Sequence, residues 1–236
     1  MIRIEPRNGI GKASQSGFTL VEIAIVLVII GLLLGGILKG QEMITQAKIK
    51  NIVNDFNGIT AAINSYQDRY RSLPGDDLSA GARWATQSAI GGNGDGKFNK
   101  AAAIGVAPEV YNNVPTAAPS ATTPEVNLFW WHLRLAGFVP GTTAAAASSV
   151  APPNNAANGI MGVQTGGMGF TSNIICTSNL PDKIAVAVDT QMDDSVPDSG
   201  QVRGILQPTP NPPAVGALPA AYQETGANQY LLCKNL

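Results

Sequence analysis

The sequence predicts an α+β protein in which a long N-terminal helix packs on a small C-terminal antiparallel sheet with long loops. Three observations support this fold class. An apolar segment near the N-terminus continues without interruption into an amphipathic helical pattern. Short strand-like runs follow in the C-terminal half. The linkers between these runs are too short or too rich in proline for crossover helices, which favours antiparallel pairing.

The composition restricts the class of protein. Of 236 residues, 44% are hydrophobic and only 13% are charged, which is well below the usual quarter. The formal net charge of −1 argues against a strongly basic surface, so no nucleic-acid partner is predicted. Two cysteines and one histidine are too few for a zinc site. Because the sequence also lacks a nucleophile–base set and a phosphate-binding loop, an enzyme is not predicted.

The N-terminus combines a polar leader with an apolar segment of membrane length. Residues 1–17 contain three basic residues and one acid, and the apolar segment then extends from Phe18 to Leu38. A helix of this length spans a bilayer core, and the basic leader favours a cytoplasmic N-terminus. A secretory signal peptide has a shorter apolar region that is followed by its cleavage site. Here the small residue Gly17 precedes the apolar segment, so cleavage after it would leave the segment on the mature protein.

Glu22 is the only charged residue in this apolar segment. One interpretation is a simple membrane anchor for a soluble domain, with Glu22 hydrated at the membrane edge. The other is a functional carboxylate, because charges inside membrane segments usually serve a function.

The helical pattern continues directly after the apolar segment, over residues 39–72. Apolar and aromatic residues recur there at steps of three and four, as in an amphipathic helix. The recurring positions are Ile44, Ile52, Phe56, Ile59, Ile63, Tyr66 and Tyr70. The breakers Leu73-Pro74-Gly75 predict the end of a helix that extends from Phe18 to Tyr70. Two GxxxG spacings, Gly31–Gly35 and Gly36–Gly40, are explained equally well by close helix packing and by flexibility.

Residues 73–236 are predicted to form a globular head domain. The strand candidates are 172–176, 183–190, 201–206 and 229–235. A strongly apolar stretch at 125–141 has helical spacing and predicts a short helix. His132 and the two adjacent tryptophans are expected to pack in the core rather than to form a ligand site, because no partner residues flank them.

Two polar loops raise the question of metal binding. Asn93, Asp95 and Asn99 have the spacing of oxygen ligands in a calcium loop, but Ala102 replaces the late acidic ligand, so a surface turn is predicted. The second loop carries four aspartates, Asp189, Asp193, Asp194 and Asp198. Their mutual repulsion is relieved either by a hard cation or by full hydration.

The segment GFTLVEIAIVLVIIGLLLGG resembles the N-terminus of type IV pilins and type II secretion pseudopilins. The resemblance implies that a membrane aspartic prepilin peptidase cuts the Gly17–Phe18 bond and that Phe18 is then N-methylated. It also implies that Glu22 pairs with the N-terminal amine of a neighbouring subunit as a filament grows. The sequence departs from the family pattern at Lys39, where many pilins have proline.

The same resemblance implies partners, a location and two further sites. The subunit would polymerise with copies of itself or with other pilins on an inner-membrane assembly platform. It would begin as a single-pass inner-membrane protein with a periplasmic head, and end in a cell-surface filament or a periplasmic pseudopilus. Pseudopilins use calcium in a comparable C-terminal loop, so the four aspartates are calcium candidates. Many pilins have a C-terminal disulfide, which here would join Cys176 and Cys233; two free buried thiols are the alternative.

The predicted function is that of a structural subunit of a type IV pilus-like filament. A type II secretion pseudopilin is the alternative within the same machinery. A membrane-anchored extracytoplasmic binding or enzymatic domain is the alternative from another class. The predicted divisions of the chain are a cleaved leader (1–17), a membrane and filament-core helix (18–38), its amphipathic continuation (39–72) and the head domain (73–236).

Overall fold

A computed structural model describes residues 17–100, 109–216, 218–219 and 221–236; leader residues 1–16 and Ala102 lie outside these ranges. The helices in these ranges are α1 (Leu20–Tyr70), α2 (Ala80–Arg83), α3 (Glu125–Leu135), α4 (Ala147–Val150) and α5 (Asp182–Met192). The strands are β1 (Met161–Gly167), β2 (Phe170–Pro181), β3 (Val202–Leu206) and β4 (Gln229–Asn235). The predicted α+β class, with a long N-terminal helix and a small antiparallel sheet, is confirmed.

The chain divides into two compact units, of which the first ends at Ile44 and the second runs from Thr45 to Leu236. In the second unit α1 buries one face. Its buried residues are Ile49, Ile52, Phe56, Ile59, Ala62, Ile63 and Tyr66. They follow steps of three and four, because one helical turn holds about 3.6 residues, so the amphipathic pattern is confirmed. After Tyr70 the helix is terminated by Arg71, whose φ of 57° is left-handed.

The second unit contains a four-stranded sheet with the order β1-β2-β4-β3, in which each neighbouring pair is antiparallel. The candidates at 172–176, 201–206 and 229–235 correspond to β2, β3 and β4. Sequence reasoning missed β1 because its sequence, MGVQTGG, is rich in glycine. Glycine is required at position 162, since a Cβ atom on Gly162 would lie 2.0 Å from the carbonyl oxygen of Tyr111. Because this strand packs so closely against another backbone, it is rich in glycine and has few of the β-branched side chains from which strands are predicted.

The fourth strand prediction, at residues 183–190, is wrong, because this segment lies in helix α5. The alternation of Ile184, Val186 and Val188 suggested a strand. In the structure the buried positions are instead 184, 185, 188 and 189, which is the pattern of one helical face. Val186 is only partly buried. The intervening alanines favour a helix, and packing against the sheet decides the outcome.

The two faces of the sheet pack against different layers. Ile175 and Leu232 point to a core cluster that also contains Phe56 of α1 and Trp130 of α3. The next residues along the same strands, Cys176 and Cys233, point to a second, smaller cluster. This alternation follows from the two-residue period of a strand. The sheet therefore has α1 on one face and loop segments on the other.

The Cys176–Cys233 disulfide is confirmed. The two residues lie directly opposite each other on β2 and β4, with their Cα atoms 4.0 Å apart. Both are fully buried, in a cluster with Tyr111 and Ala214. The bond links positions 57 residues apart and ties the C-terminal strand to the middle of the sheet.

Candidate functional site

The predicted processing and assembly residues lie at the start of α1. Gly17, Phe18 and Thr19 precede the helix, which begins at Leu20. The backbone N–H and the hydroxyl of Thr19 both donate to Oε2 of Glu22 at 2.8 Å. In return, the backbone N–H of Glu22 donates to Oγ1 of Thr19 at 3.2 Å. This reciprocal arrangement is a capping box, which satisfies amide groups that the first helical turn leaves without partners.

Sequence reasoning assigned a role to Glu22 but missed Thr19. The signal was present, because a threonine followed three residues later by glutamate is the capping-box pattern. The capping bonds engage Oε2 of the Glu22 carboxylate within its own chain, although it lies in an apolar segment. Oε1 accepts no hydrogen bond from the described residues, so an incoming cation can pair with it.

The segment that follows presents a continuous apolar surface. Its large hydrophobic side chains are exposed in the isolated chain, as Leu27 (64%) and Leu34 (57%) illustrate. Soluble monomers rarely expose an apolar patch of this size. Among the described residues, α1 alone has the length and composition to cross a membrane, a criterion that N-terminal signal sequences also meet. Lipid or other helices are needed to cover this surface.

Four glycines leave this surface open to close approach. A Cβ atom added at Gly31, Gly35, Gly36 or Gly40 would meet no heavy atom within 4 Å. α1 nevertheless passes through all four positions without a break. The glycines therefore provide shallow positions at which a second helix can approach the backbone.

Gly17 has no reason within the described chain to be glycine. A Cβ atom there would meet no heavy atom of the described residues within 4 Å. An alanine would therefore fit the subunit itself.

The aspartate-rich loop after α5 brings three carboxylates together. One carboxylate oxygen from each of Asp189, Asp193 and Asp194 lies within 4.8 Å of the other two. Asp198, the fourth candidate, is exposed and is not a member of this group. The Asp193 carboxylate is held in place by the start of β3, where it accepts the backbone N–H of Val202 at 2.7 Å.

Asp189 is the fully buried member of this group. Its Oδ2 accepts the hydroxyl of Tyr222 at 2.5 Å, a contact that the sequence did not suggest. Its Oδ1 has no hydrogen-bond partner among the residues that the structure describes. Burial, and then the negative charges of Asp193 and Asp194, raise the pKa of the Asp189 carboxyl. An unpartnered buried oxygen beside two carboxylates fits a hard cation such as calcium.

The glycine-rich loop at 93–100 is organised around two acids from elsewhere in the chain. The Asp76 carboxylate accepts the backbone N–H groups of Gly94 and Gly96, each at 2.6 Å. The Glu125 carboxylate accepts three further loop N–H groups at 2.7, 3.0 and 3.2 Å. The backbone donors of the loop thus point inward at two carboxyl groups. The calcium-like spacing within the loop did not predict these acceptors, because Asp76 and Glu125 are distant from the loop in sequence.

The side chains that suggested a calcium loop bond to one another. The Asn93 amide donates to Oδ1 of Asn99 at 2.7 Å, and the Asn99 amide donates to Oδ2 of Asp95 at 2.6 Å. These bonds are typical of a tight polar turn.

His132 is a core residue, as the sequence predicted. Its Nδ1 accepts the backbone N–H of Gly75 at 2.9 Å, so Nε2 carries the proton and donates to the carbonyl of Ile90 at 2.8 Å. Burial lowers the pKa of His132 to about 4, which keeps the ring neutral. Both ring nitrogens are used by the fold. The neighbouring Trp130 and Trp131 are also buried.

The chain was compared with known families, curated proteins and solved structures. The family described as the prokaryotic N-terminal methylation motif matches residues 12–38, which include Gly17, Phe18 and Glu22. No curated protein and no solved structure matches the chain. The chain thus carries, at the start of its long helix, the methylation motif that is the hallmark of type IV pilin and pseudopilin prepilins.

Proposed function

We propose that this protein is a structural subunit of a type IV pilus-like filament. Prepilin peptidase cuts the Gly17–Phe18 bond and methylates Phe18, and the subunits then polymerise through α1. The observation that carries the proposal is the methylation motif at residues 12–38, placed on a helix whose apolar side chains are exposed. Burying that surface between neighbouring helices gives the driving force for polymerisation once the subunit leaves the membrane.

Glu22 acts in this proposal as the assembly signal. A carboxylate in a low-dielectric environment costs several kcal/mol unless a cation offsets it. In the single subunit, hydrogen bonds from Thr19 satisfy Glu22 but bring no charge. Cleavage creates a positive amine on Phe18, and this amine on a neighbouring subunit supplies the missing cation. Assembly therefore depends on prior processing.

The proposal also specifies partners and a location. The partners are prepilin peptidase, an inner-membrane assembly platform, and other copies of this chain or other pilins. The subunit first spans the inner membrane with its head in the periplasm, where disulfides such as Cys176–Cys233 persist. It then moves into a filament at the cell surface.

A type II secretion pseudopilin in a short periplasmic filament is the second candidate. The aspartate group favours it, because pseudopilins resemble this chain in having an acidic C-terminal loop. We propose that Asp189, Asp193 and Asp194 hold a calcium ion there, with Oδ1 of Asp189 as one ligand. The doubly charged ion would offset two of the three crowded negative charges and fix the loop between α5 and β3.

Mass spectrometry of the mature N-terminus, combined with electron microscopy of sheared surface material, tests the proposal. Methylated Phe18 in surface filaments supports a pilus, whereas methylated Phe18 found only in the cell envelope supports a pseudopilus. A chain that keeps residues 1–17 in cells with an active peptidase would contradict both candidates.

A further inference from the structure

A cleft of about 280 Å³ lies beside α1 in the second unit, apart from the predicted processing, assembly and aspartate residues. Its walls are largely apolar and include Ile59, Trp130, Phe138, Val139 and Met161. Its polar residues include Asn54 and Asp55 of α1. Neither the methylation motif nor the aspartate group contributes a residue to this cleft.

Gly58 lines the cleft from the middle of α1. A Cβ atom added there would meet no heavy atom within 4 Å, so packing within the chain does not require glycine. Glycine inside a helix is less favourable than alanine. A neighbouring molecule that approaches the helix backbone at this point would explain the residue.

Asp55 lies nearly one turn before Gly58 and lines the same cleft. It is half-buried, and its carboxylate has no hydrogen-bond or ion-pair partner among the described residues. Burial raises the pKa of the Asp55 carboxyl, since no cation offsets the lost hydration. A carboxylate beside apolar walls is complementary to a side chain with a methylene stem and a cationic end.

We propose that this cleft receives the Lys50 side chain of a second copy of this chain, and that the Lys50 ammonium pairs with Asp55. The inference rests on the proposed filament function. The volume suits one long side chain rather than a helix or strand. Lys50 is exposed and forms no ion pair within the described part of the chain. Its stem lies along the apolar walls, and its ammonium neutralises the carboxylate.

The positions of Lys50 and Asp55 around α1 suit a contact between copies. At about 100° per residue, the two side chains point about 140° apart. They therefore face nearly opposite sides of one helix. This is the arrangement that a head-to-tail contact needs in order to repeat along a filament.

The pairing specifies a register for neighbouring copies of the head-domain part of α1. A shift of four residues between parallel helices, or about 6 Å, brings Lys50 of one copy level with Asn54 of the next, beside Asp55.

Cysteine cross-linking of full-length subunits in filaments tests the contact. In K50C/D55C the two Cα atoms of one helix are about 7.5 Å apart along the axis, beyond the reach of a disulfide at about 7 Å. Each new disulfide must then join two copies. We expect oxidised filaments to give a ladder of dimers and larger species on a non-reducing gel, and the ladder to disappear on reduction. The control is K50C/N57C, since Asn57 is exposed and points about 200° away from Asp55.

Charge reversal provides a second, independent measurement. K50D and D55K should each lower the filament yield about tenfold, because like charges then meet at the contact. The double variant K50D/D55K restores the attraction and should recover most of the yield. K183D, on the exposed side of α5, is the matched control and should assemble normally. Unchanged melting temperatures of the unassembled subunits show that each variant folds.

The outcomes separate this inference from the proposed function. Wild-type filaments without a K50C/D55C ladder, and without rescue by K50D/D55K, would overturn the inference and leave the filament function in place. A processed wild-type chain that forms no filaments would overturn the proposed function itself.

Discussion

Glu125 and His132 lie two helical turns apart on α3, and both are fully buried. Burial raises the pKa of Glu125 from 4.5 to about 7. It lowers the pKa of His132 from 6.5 to about 4. In each case burial disfavours the charged form. For Glu125 this is the deprotonated carboxylate, and for His132 it is the protonated ring. The two residues therefore make the stability of the head depend on pH in opposite directions.

Replacing Glu125 with glutamine should expose one of these effects. Between pH 4.5 and about 7 the folded state keeps a proton on Glu125 that the unfolded state has lost, so its contribution to stability is lost as pH rises. The difference in unfolding free energy between wild type and E125Q should change by about 3 kcal/mol across this range, in favour of wild type at low pH. Urea unfolding followed by tryptophan fluorescence measures it. A difference that does not vary with pH contradicts the prediction.

Replacing His132 with asparagine should give the opposite slope. Between pH 6.5 and about 4 the unfolded state binds a proton at His132 that the folded state does not, so stability is lost as pH falls. Compared with H132N, wild type should lose about 3 kcal/mol across this range on acidification. The same urea titration measures the change. If the unfolding free energies of E125Q and H132N change with pH in the same way, these two residues do not dominate the pH dependence of stability.

Glu22→Ala should separate processing from assembly. The Thr19 hydroxyl still accepts the backbone N–H of residue 22, so the helix start and the cleavage of the Gly17–Phe18 bond are retained. Without the carboxylate, the amine of a neighbouring subunit has no partner, and filament yield should fall at least about tenfold. Mass spectrometry and electron microscopy measure the two steps. Glu42→Ala, which removes an exposed acid paired with Lys39, is the control. Normal assembly by E22A would remove the assembly role of Glu22.

Removal of the disulfide should weaken the head domain without exposing a polar group. C176A/C233A keeps the site apolar but frees a loop of 57 residues in the unfolded chain. The chain-entropy relation predicts a loss of about 4 kcal/mol. Chemical unfolding of the oxidised wild type and of the double variant measures it. A loss below about 1 kcal/mol would show that native contacts in the unfolded chain already close the loop.

Calcium should stabilise the head through Asp189. At a calcium concentration 100 times the dissociation constant, binding adds about 2.7 kcal/mol, which is a rise of about 5 to 10 °C in melting temperature for a domain of this size. D189N replaces the buried carboxylate with a neutral amide that keeps a single oxygen, so it should abolish the rise. D198N changes an exposed residue outside the group and should preserve it. Equal responses of D189N and wild type would exclude Asp189 as a ligand.

Several features were predictable because residues close in sequence determine them. The methylation motif at 12–38 depends on the order of neighbouring residues, and the amphipathic face of α1 depends on helical spacing. β4 was predicted over residues 229–235, the range that it occupies. Its apolar residues form one short run, Tyr230 to Cys233, between polar residues. The capping role of Thr19 was also predictable from neighbouring residues, because Thr19 and Glu22 have the capping-box spacing, although the prediction was not made.

Other features were settled only by contacts between distant segments. The run at 183–190 alternates like a strand, yet α5 forms because packing buries one helical face. β1 is recognisable only next to Tyr111, whose backbone leaves room for glycine alone at position 162. The backbone N–H groups of the loop at 93–100 find their acceptors on Asp76 and Glu125, which are distant in sequence.

The sequence by itself determined where the chain is expected to be cut, where its long helix ends and which face of that helix is apolar. These properties follow from the order and period of adjacent side chains, which is local information. The tertiary structure decided that Asp189, Asp193 and Asp194 converge while Asp198 stays apart. It also decided that Asp55 lines a cleft and has no ion-pair partner among the described residues. Both outcomes depend on how far a side chain lies from groups elsewhere in the chain, and only packing sets those distances.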